Sequence, residues 1–157
     1  MQRNRSREVG YIVGQIALLV LLLLAPPIGA FRVPRVVGLL GLFLITVGLL
    51  GALVSAKTMG PSLTPHPAPR KQGTLLTSGI FARVRHPIYS CLLIIALGFV
   101  LIAPSLLRFA LFVCFVVLLI RKSKLEEGLL RERFSDYDAY AQRTPRFLPR
   151  LPVRSAK

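Results

Sequence analysis

Apolar residues in this chain fall into four long blocks separated by polar stretches: Tyr11 to about Ala30, Val36 to Ala56, Ile88 to Ala103 and Ser105 to Ile120. A helix at the surface of a soluble core alternates apolar and polar positions at its own period, whereas a block that is apolar all round reads as a membrane span. The pattern therefore predicts an all-α, integral membrane helical bundle of about four transmembrane helices, in one domain over residues 1–157. The first two blocks have the ~20 residues a bilayer crossing needs. The third and fourth are ~24 Å long at 1.5 Å per residue, slightly short for the bilayer core, a mismatch tolerated at modest cost. Only Pro104 separates them, so they should form an antiparallel hairpin, with Arg108 snorkelling to the interface.

Finer features sit on this frame. The first block follows Arg3, Arg5 and Arg7 and is interrupted by Pro26-Pro27. A basic start, a Leu-rich centre and small residues at Gly29-Ala30 also fit a cleaved signal peptide, but the apolar length favours an uncleaved span. Within the second block, Gly41, Ile45, Gly48, Ala52 and Ser55 share one helix face, where small residues let two backbones approach in lipid. From Lys57 to His86 the chain turns polar, and Thr64-Pro65-His66-Pro67-Ala68-Pro69 predicts an extended linker along the membrane surface. Leu125, Leu129, Leu130, Phe134 and Tyr137 predict a cytosolic amphipathic helix over 121–143. The proline-bearing, basic tail from Thr144 to Lys157 is expected to lie on an anionic membrane surface without regular structure.

Composition changes the picture through placement rather than amount. The net charge of +15 suggests nucleic acid, but no basic stripe with interleaved aromatics and no nucleic-acid module accompanies it. With the N-terminus in the cytosol, eighteen of the 21 Lys and Arg residues fall on the cytosolic side, and only Arg32, Arg35 and Arg108 fall outside. That asymmetry predicts a multi-pass protein of the bacterial inner membrane with both termini cytosolic. Cys91 and Cys114 lie inside apolar blocks and read as packing residues. No second histidine or thiolate cluster supports a metal site.

The hairpin carries the chemistry. Its legs are similar in length, so His86–Tyr89 and Arg121–Glu127 should return to the same membrane face. Pro87 suits the first position of a helix, and the N–H groups after it favour an anion. His86 adds a donor, Tyr89 and Phe81 add aromatic faces for cation–π attraction of ~0.5–2 kcal/mol, and Glu126 and Glu127 add negative charge. This set is apt for a ligand bearing a carboxylate, an ammonium, a sulfonium and an adenine, although composition alone does not single such a ligand out. Each residue also has a plainer reading: His86 as a helix cap, Tyr89 as an interfacial anchor, Lys122 as a positive-inside anchor. Glu126 and Glu127 can equally be surface charges paired with Lys122 and Arg131.

The segment from Leu75 to Tyr89, with Arg85-His86-Pro87-Ile88-Tyr89 at its end, together with Glu126-Glu127-Gly128-Leu129-Leu130, resembles the isoprenylcysteine carboxyl methyltransferase family. Leu63-Thr64-Pro65-His66-Pro67 and Phe134, Tyr137, Tyr140 and Pro145 resemble its bacterial members, and related phospholipid N-methyltransferases share the Arg-His-Pro and Glu-Glu arrangement. The resemblance covers about residues 60–150. It implies an S-adenosyl-L-methionine-dependent methyltransferase acting on a lipid-like or apolar acceptor, with membrane lipids as its surroundings and no nucleic acid. It places Gln72, Leu75, Leu76, Gly79, Phe81, His86, Pro87, Tyr89, Glu126 and Glu127 at the cofactor, within about 70–90 and 121–140, and Lys122 towards the substrate. Phe81 stands where tyrosine is common and Cys91 where glycine is common. A nicotinamide-dependent sterol or enone reductase shares an Arg-His-Pro-x-Tyr segment, but Tyr89-Ser90-Cys91 lacks the Gly-Glu that often follows it, and no dinucleotide fingerprint is present. A non-enzymatic membrane scaffold would use the glycine-lined second span and leave the clustered motif residues without a purpose.

Overall fold

A computed structural model describes residues 2–59 and 75–149. Over those residues the chain is helical: α1 Gln2–Leu24, α2 Arg35–Met59, α3 Pro87–Ile102, α4 Leu106–Arg133 and α5 Tyr137–Arg143, with a 3-10 turn at Gly79–Ala82. Among the described residues no strand forms; Ala30 and Ser105 make an isolated antiparallel bridge. The proline-rich Thr64–Pro69 stretch, Gln72 and the tail from Arg150 lie outside the described residues.

The elements follow the apolar blocks with two corrections. The first span, expected over 11–30, stops at Leu24 because Pro26 and Pro27 supply no N–H and exclude helical geometry before them. The fourth span and the amphipathic helix are not separate: α4 runs unbroken for 28 residues to Arg133. Polarity changes at Arg121, but no proline interrupts the backbone there, and the lone Gly128 costs only ~1 kcal/mol. The helix breaks at Phe134, which is extended, and restarts as the seven-residue α5. Among the described residues two helices are long and apolar enough to cross a membrane, Ser6–Leu24 and Arg35–Met59; α3 is as apolar but has 16 residues.

The α3–α4 hairpin is central, with α2 packed along α3 and α1 along α4. Gly41, Gly48 and Ser55, on the expected small-residue face, are buried against α3. Backbones nearly touch there: a Cβ on Gly41 would stand 2.7 Å from the Gly98 carbonyl oxygen, and one on Gly98 would stand 2.6 Å from Ile45 Cγ1. Leu22, Ala96, Val100, Phe115 and Leu119 form the buried cluster where α1, α3 and α4 meet. The outward faces of α1 and α2 stay apolar, with Val13, Phe43 and Leu53 exposed.

One end of the bundle is tied by its turns. Phe31 N–H donates to Pro104 O (3.0 Å) and Leu106 N–H to Gly29 O (3.1 Å), where Gly29 takes φ +65°. Arg108 does not simply snorkel. Its guanidinium donates to Ala103 O and Ala25 O, each at 3.1 Å, so it caps the ends of α3 and α1 together. The Ser105 hydroxyl accepts from Arg108 N–H at 3.2 Å and caps α4. With both turns at that end, the end of α2, the start of α3 and the polar half of α4 share the opposite end.

Candidate functional site

Three local features build the opposite end. Pro87 opens α3 at its first turn, with His86 as the cap residue. The first hydrogen bond into the helix runs from Ser90 N–H to His86 O at 3.1 Å, which leaves the N–H groups of Ile88 and Tyr89 without an acceptor among the described residues. The unbroken α4 carries Glu126 and Glu127 beyond the apolar segment, ~9 Å past Ile120. Gly79, at φ +60°, starts the 3-10 turn in a conformation that favours glycine.

The two glutamates have different surroundings. Glu127 is 1% exposed and holds three cationic partners. Arg146 Nε and Nη2 donate to its two oxygens at 2.8 and 2.7 Å, Arg85 Nη2 donates at 3.0 Å, and His86 Nε2 stands at 3.2 Å. Burial would raise this carboxyl's pKa, but the Arg146 and His86 hydrogen bonds and the nearby Arg85 charge override it and hold it far below the ordinary range. Glu126 instead is partly exposed. It accepts the Tyr89 hydroxyl proton and stands 3.5 Å from His86 Nδ1. His86 thus bridges both carboxylates. Burial pulls its pKa down, and the hydrogen bonds to Glu126 and Glu127 more than reverse that, raising it above its ordinary value.

Tyr89 lies between two groups. The His86 ring stacks parallel to it at 5.3 Å, and the Lys122 ammonium sits 5.0 Å from its centroid. Lys122 is 4% exposed, so it is not a surface anchor. Its Nζ donates to Gln15 Oε1 of α1 at 2.8 Å. Burial lowers its pKa, and the Glu126 charge partly offsets that. Neither glutamate pairs with Lys122 or Arg131 at helical spacing; Arg131 binds Asp138 instead, at 2.8 Å.

The floor comes from residues the sequence left unassigned. Arg85 and His86 N–H donate to Pro145 O and Arg146 O at 2.9 and 3.0 Å, and the Ser90 hydroxyl donates to Phe147 O at 2.6 Å. Residues 144–147 are therefore docked on the start of α3 rather than spread on a membrane surface. Their amide and carbonyl groups find partners that the segment's composition did not reveal. The Tyr140 hydroxyl donates to Phe81 O at 2.6 Å and fastens the 3-10 turn to α5.

The structure brings His86, Pro87, Tyr89, Lys122, Glu126 and Glu127 together. Phe81 is buried and held through its carbonyl, Gly79 is exposed, and Leu75 and Leu76 are half-buried in the segment leading to the turn. Sequence reasoning missed Arg146 and Gln15. Nothing local links Arg146 to a glutamate on α4, but Gln15 is legible: it is the one polar side chain between Ile12 and Leu24. A groove of about 430 Å³ runs between α1 and α4, lined by Arg7, Gly10, Tyr11, Leu118 and Leu125. Among the described residues no group of three or more His, Cys, Asp or Glu could hold a metal ion.

A family profile described as phospholipid methyltransferase matches residues 36–137. The cobalt-zinc-cadmium resistance protein CzcN of Cupriavidus metallidurans is 37% identical over 112 residues, covering 70% of this chain and 51% of that protein. The nickel-cobalt-cadmium resistance protein NccN of Alcaligenes xylosoxydans xylosoxydans is 34% identical over 112 residues, covering 70% of this chain and 52% of its own length. The chain spans about half the length of these curated relatives.

Proposed function

The chain belongs to the phospholipid methyltransferase family, and from that premise we propose that it is an S-adenosylmethionine-dependent methyltransferase whose site is the mouth between α3 and α4. The observation that carries this reading is the convergence of His86, Tyr89 and Glu126 with the start of α3. The donor set suits the cofactor. The N–H groups of Ile88 and Tyr89, at a helix N-terminus, suit a carboxylate. Glu126, partly exposed and held by His86 and the Tyr89 hydroxyl rather than by an arginine, suits an ammonium or sulfonium. Glu127 takes another role: with Arg85, His86 and Arg146 it fixes the floor on which those groups stand.

When bound, the cofactor supplies a methyl group on a sulfonium already activated for in-line displacement. The chain's own residues then have to orient and to exclude water. Holding two reactants in line is worth ~7–11 kcal/mol in a well-fitted site. Glu126 and Tyr89 fix the donor, the buried Lys122 and the α1–α4 groove face the acceptor side, and the docked 144–147 segment closes the floor. The acceptor is lipid-like or apolar and reaches the site laterally from the bilayer. Its methylated atom is a carboxylate, thiol or amine, and an amine would also have to lose a proton. The four apolar blocks then form a four-span bundle in the inner membrane, with the mouth on the cytosolic face.

The test is cofactor binding by the purified chain in detergent. S-adenosylmethionine should bind, reduced nicotinamide cofactors should not, and Glu126→Ala and Tyr89→Phe should each weaken binding about tenfold, the loss expected for one charge-assisted hydrogen bond. Unchanged affinity in both variants would remove the pocket described. Labelled cofactor incubated with membrane lipid extracts would then report the acceptor.

A further inference from the structure

α1 lies outside the residues the family profile matches, yet it reaches the site through Gln15. Building on the proposed function, we propose that Gln15 is a positioning residue that holds the Lys122 ammonium away from Glu126 and so keeps that carboxylate open to the cofactor's cationic end. Lys122 and Glu126 are four residues apart on α4, the spacing at which lysine and glutamate face each other and pair. Here they make no ion pair. The ammonium turns to a neutral amide oxygen on another helix at 2.8 Å, 107 residues away in sequence. It is held beside the Tyr89 ring, the same ring whose hydroxyl donates to Glu126.

The position argues for a purpose. A lone amide in an apolar span is costly in lipid and tends to mark function, whereas leucine would serve the span better. A plain interhelical hydrogen bond is the rival, and it predicts only a small packing loss on removal. The positioning role predicts something packing does not. Without Gln15, the flexible lysine stem lets the ammonium reach Glu126, neutralise it and compete with the incoming cation. Removing the lysine as well should then restore binding.

The experiment measures S-adenosylmethionine affinity for the purified chain in detergent, alongside thermal unfolding. Gln15→Leu should weaken binding about tenfold, the cost of one contested charge-assisted contact. Gln15→Glu, which still accepts from Lys122, should bind as the wild type does. Lys122→Met added to Gln15→Leu should recover affinity to within about threefold of wild type, a coupling that independent lesions do not show. If leucine is not tolerated, Gln15→Met carries the same cycle. Wild-type affinity in Gln15→Leu, or no recovery in the double variant, overturns the role of Gln15 alone. A wild-type chain that binds no S-adenosylmethionine overturns the proposed function and this role together.

Discussion

Adjacent glutamates on one helix turn would ordinarily be treated as a pair, but Glu126 and Glu127 point into different chemistry. Replacing Glu127 with Gln leaves Arg85, His86 and Arg146 around a buried neutral amide. Breaking a buried ion cluster in this way costs ~3–5 kcal/mol, so Glu127→Gln should unfold at clearly lower temperature. Glu126→Gln should lower the unfolding temperature less than Glu127→Gln and lose cofactor affinity, because its partners are only His86 and the Tyr89 hydroxyl and no arginine is left unpaired. Thermal unfolding and titration on the same two variants check the division. His86 adds a pH dependence. Its pKa is raised in the folded state, so its contribution is complete below 6.5 and is lost as pH rises through the higher folded value. Stability should fall as pH rises above 6.5, and His86→Asn should flatten that slope. Glu127 gives the opposite limb, with stability lost only as pH falls below the ordinary carboxylate value of 4.5. His86, Tyr89 and Glu126 were readable in the sequence because the hairpin forces their segments to one face. Arg146 was not, since its partner is set by how the tail docks and no local pattern encodes that.

At the scale of elements, the α2–α3 contact depends on the absence of side chains. Gly98→Ala would put a methyl 2.6 Å from Ile45 Cγ1 and 2.7 Å from the Gly41 carbonyl oxygen, and the backbone atom cannot swing away. Overpacking of this kind costs ~1–3 kcal/mol. Gly38, on the same helix as Gly41, has open space where a methyl would stand, with nothing within 4 Å, so Gly38→Ala should be neutral or stabilising through helix propensity. Unfolding in detergent should therefore rank Gly98→Ala below wild type and Gly38→Ala at or above it; equal effects would mean that close approach does not hold α3 in place. The small-residue spacing on α2 announced this interface. The sequence misplaced the end of α4 instead, because polarity at Arg121 marks where lipid stops and not where hydrogen bonding stops. That continuity matters to the site, since a rigid helix, and not a jointed one, fixes Glu126 relative to Tyr89.

For the whole molecule, the turns at Gly29–Phe31 and Ala103–Ser105 share one end and the ion cluster occupies the other, so a single up-and-down path explains the placement of every motif residue described. The four-span reading adds that the mouth is cytosolic, as the Lys and Arg asymmetry favours. Membrane orientation is separable from fold: the same bundle could be inserted either way up, and only charge decides. Single cysteines in a Cys91→Ala, Cys114→Ala background test it, at the exposed positions Ala82 and Asp136 near the mouth and Arg32 at the other end. Ala82→Cys and Asp136→Cys should react with an impermeant thiol reagent only in inside-out vesicles, and Arg32→Cys only in intact cells. Reaction of Ala82→Cys and Asp136→Cys from opposite sides would break the hairpin geometry that joins Tyr89 to Glu126. Reaction of both from the outer side would keep the site but invert it, and a cofactor made in the cytosol could then not reach it.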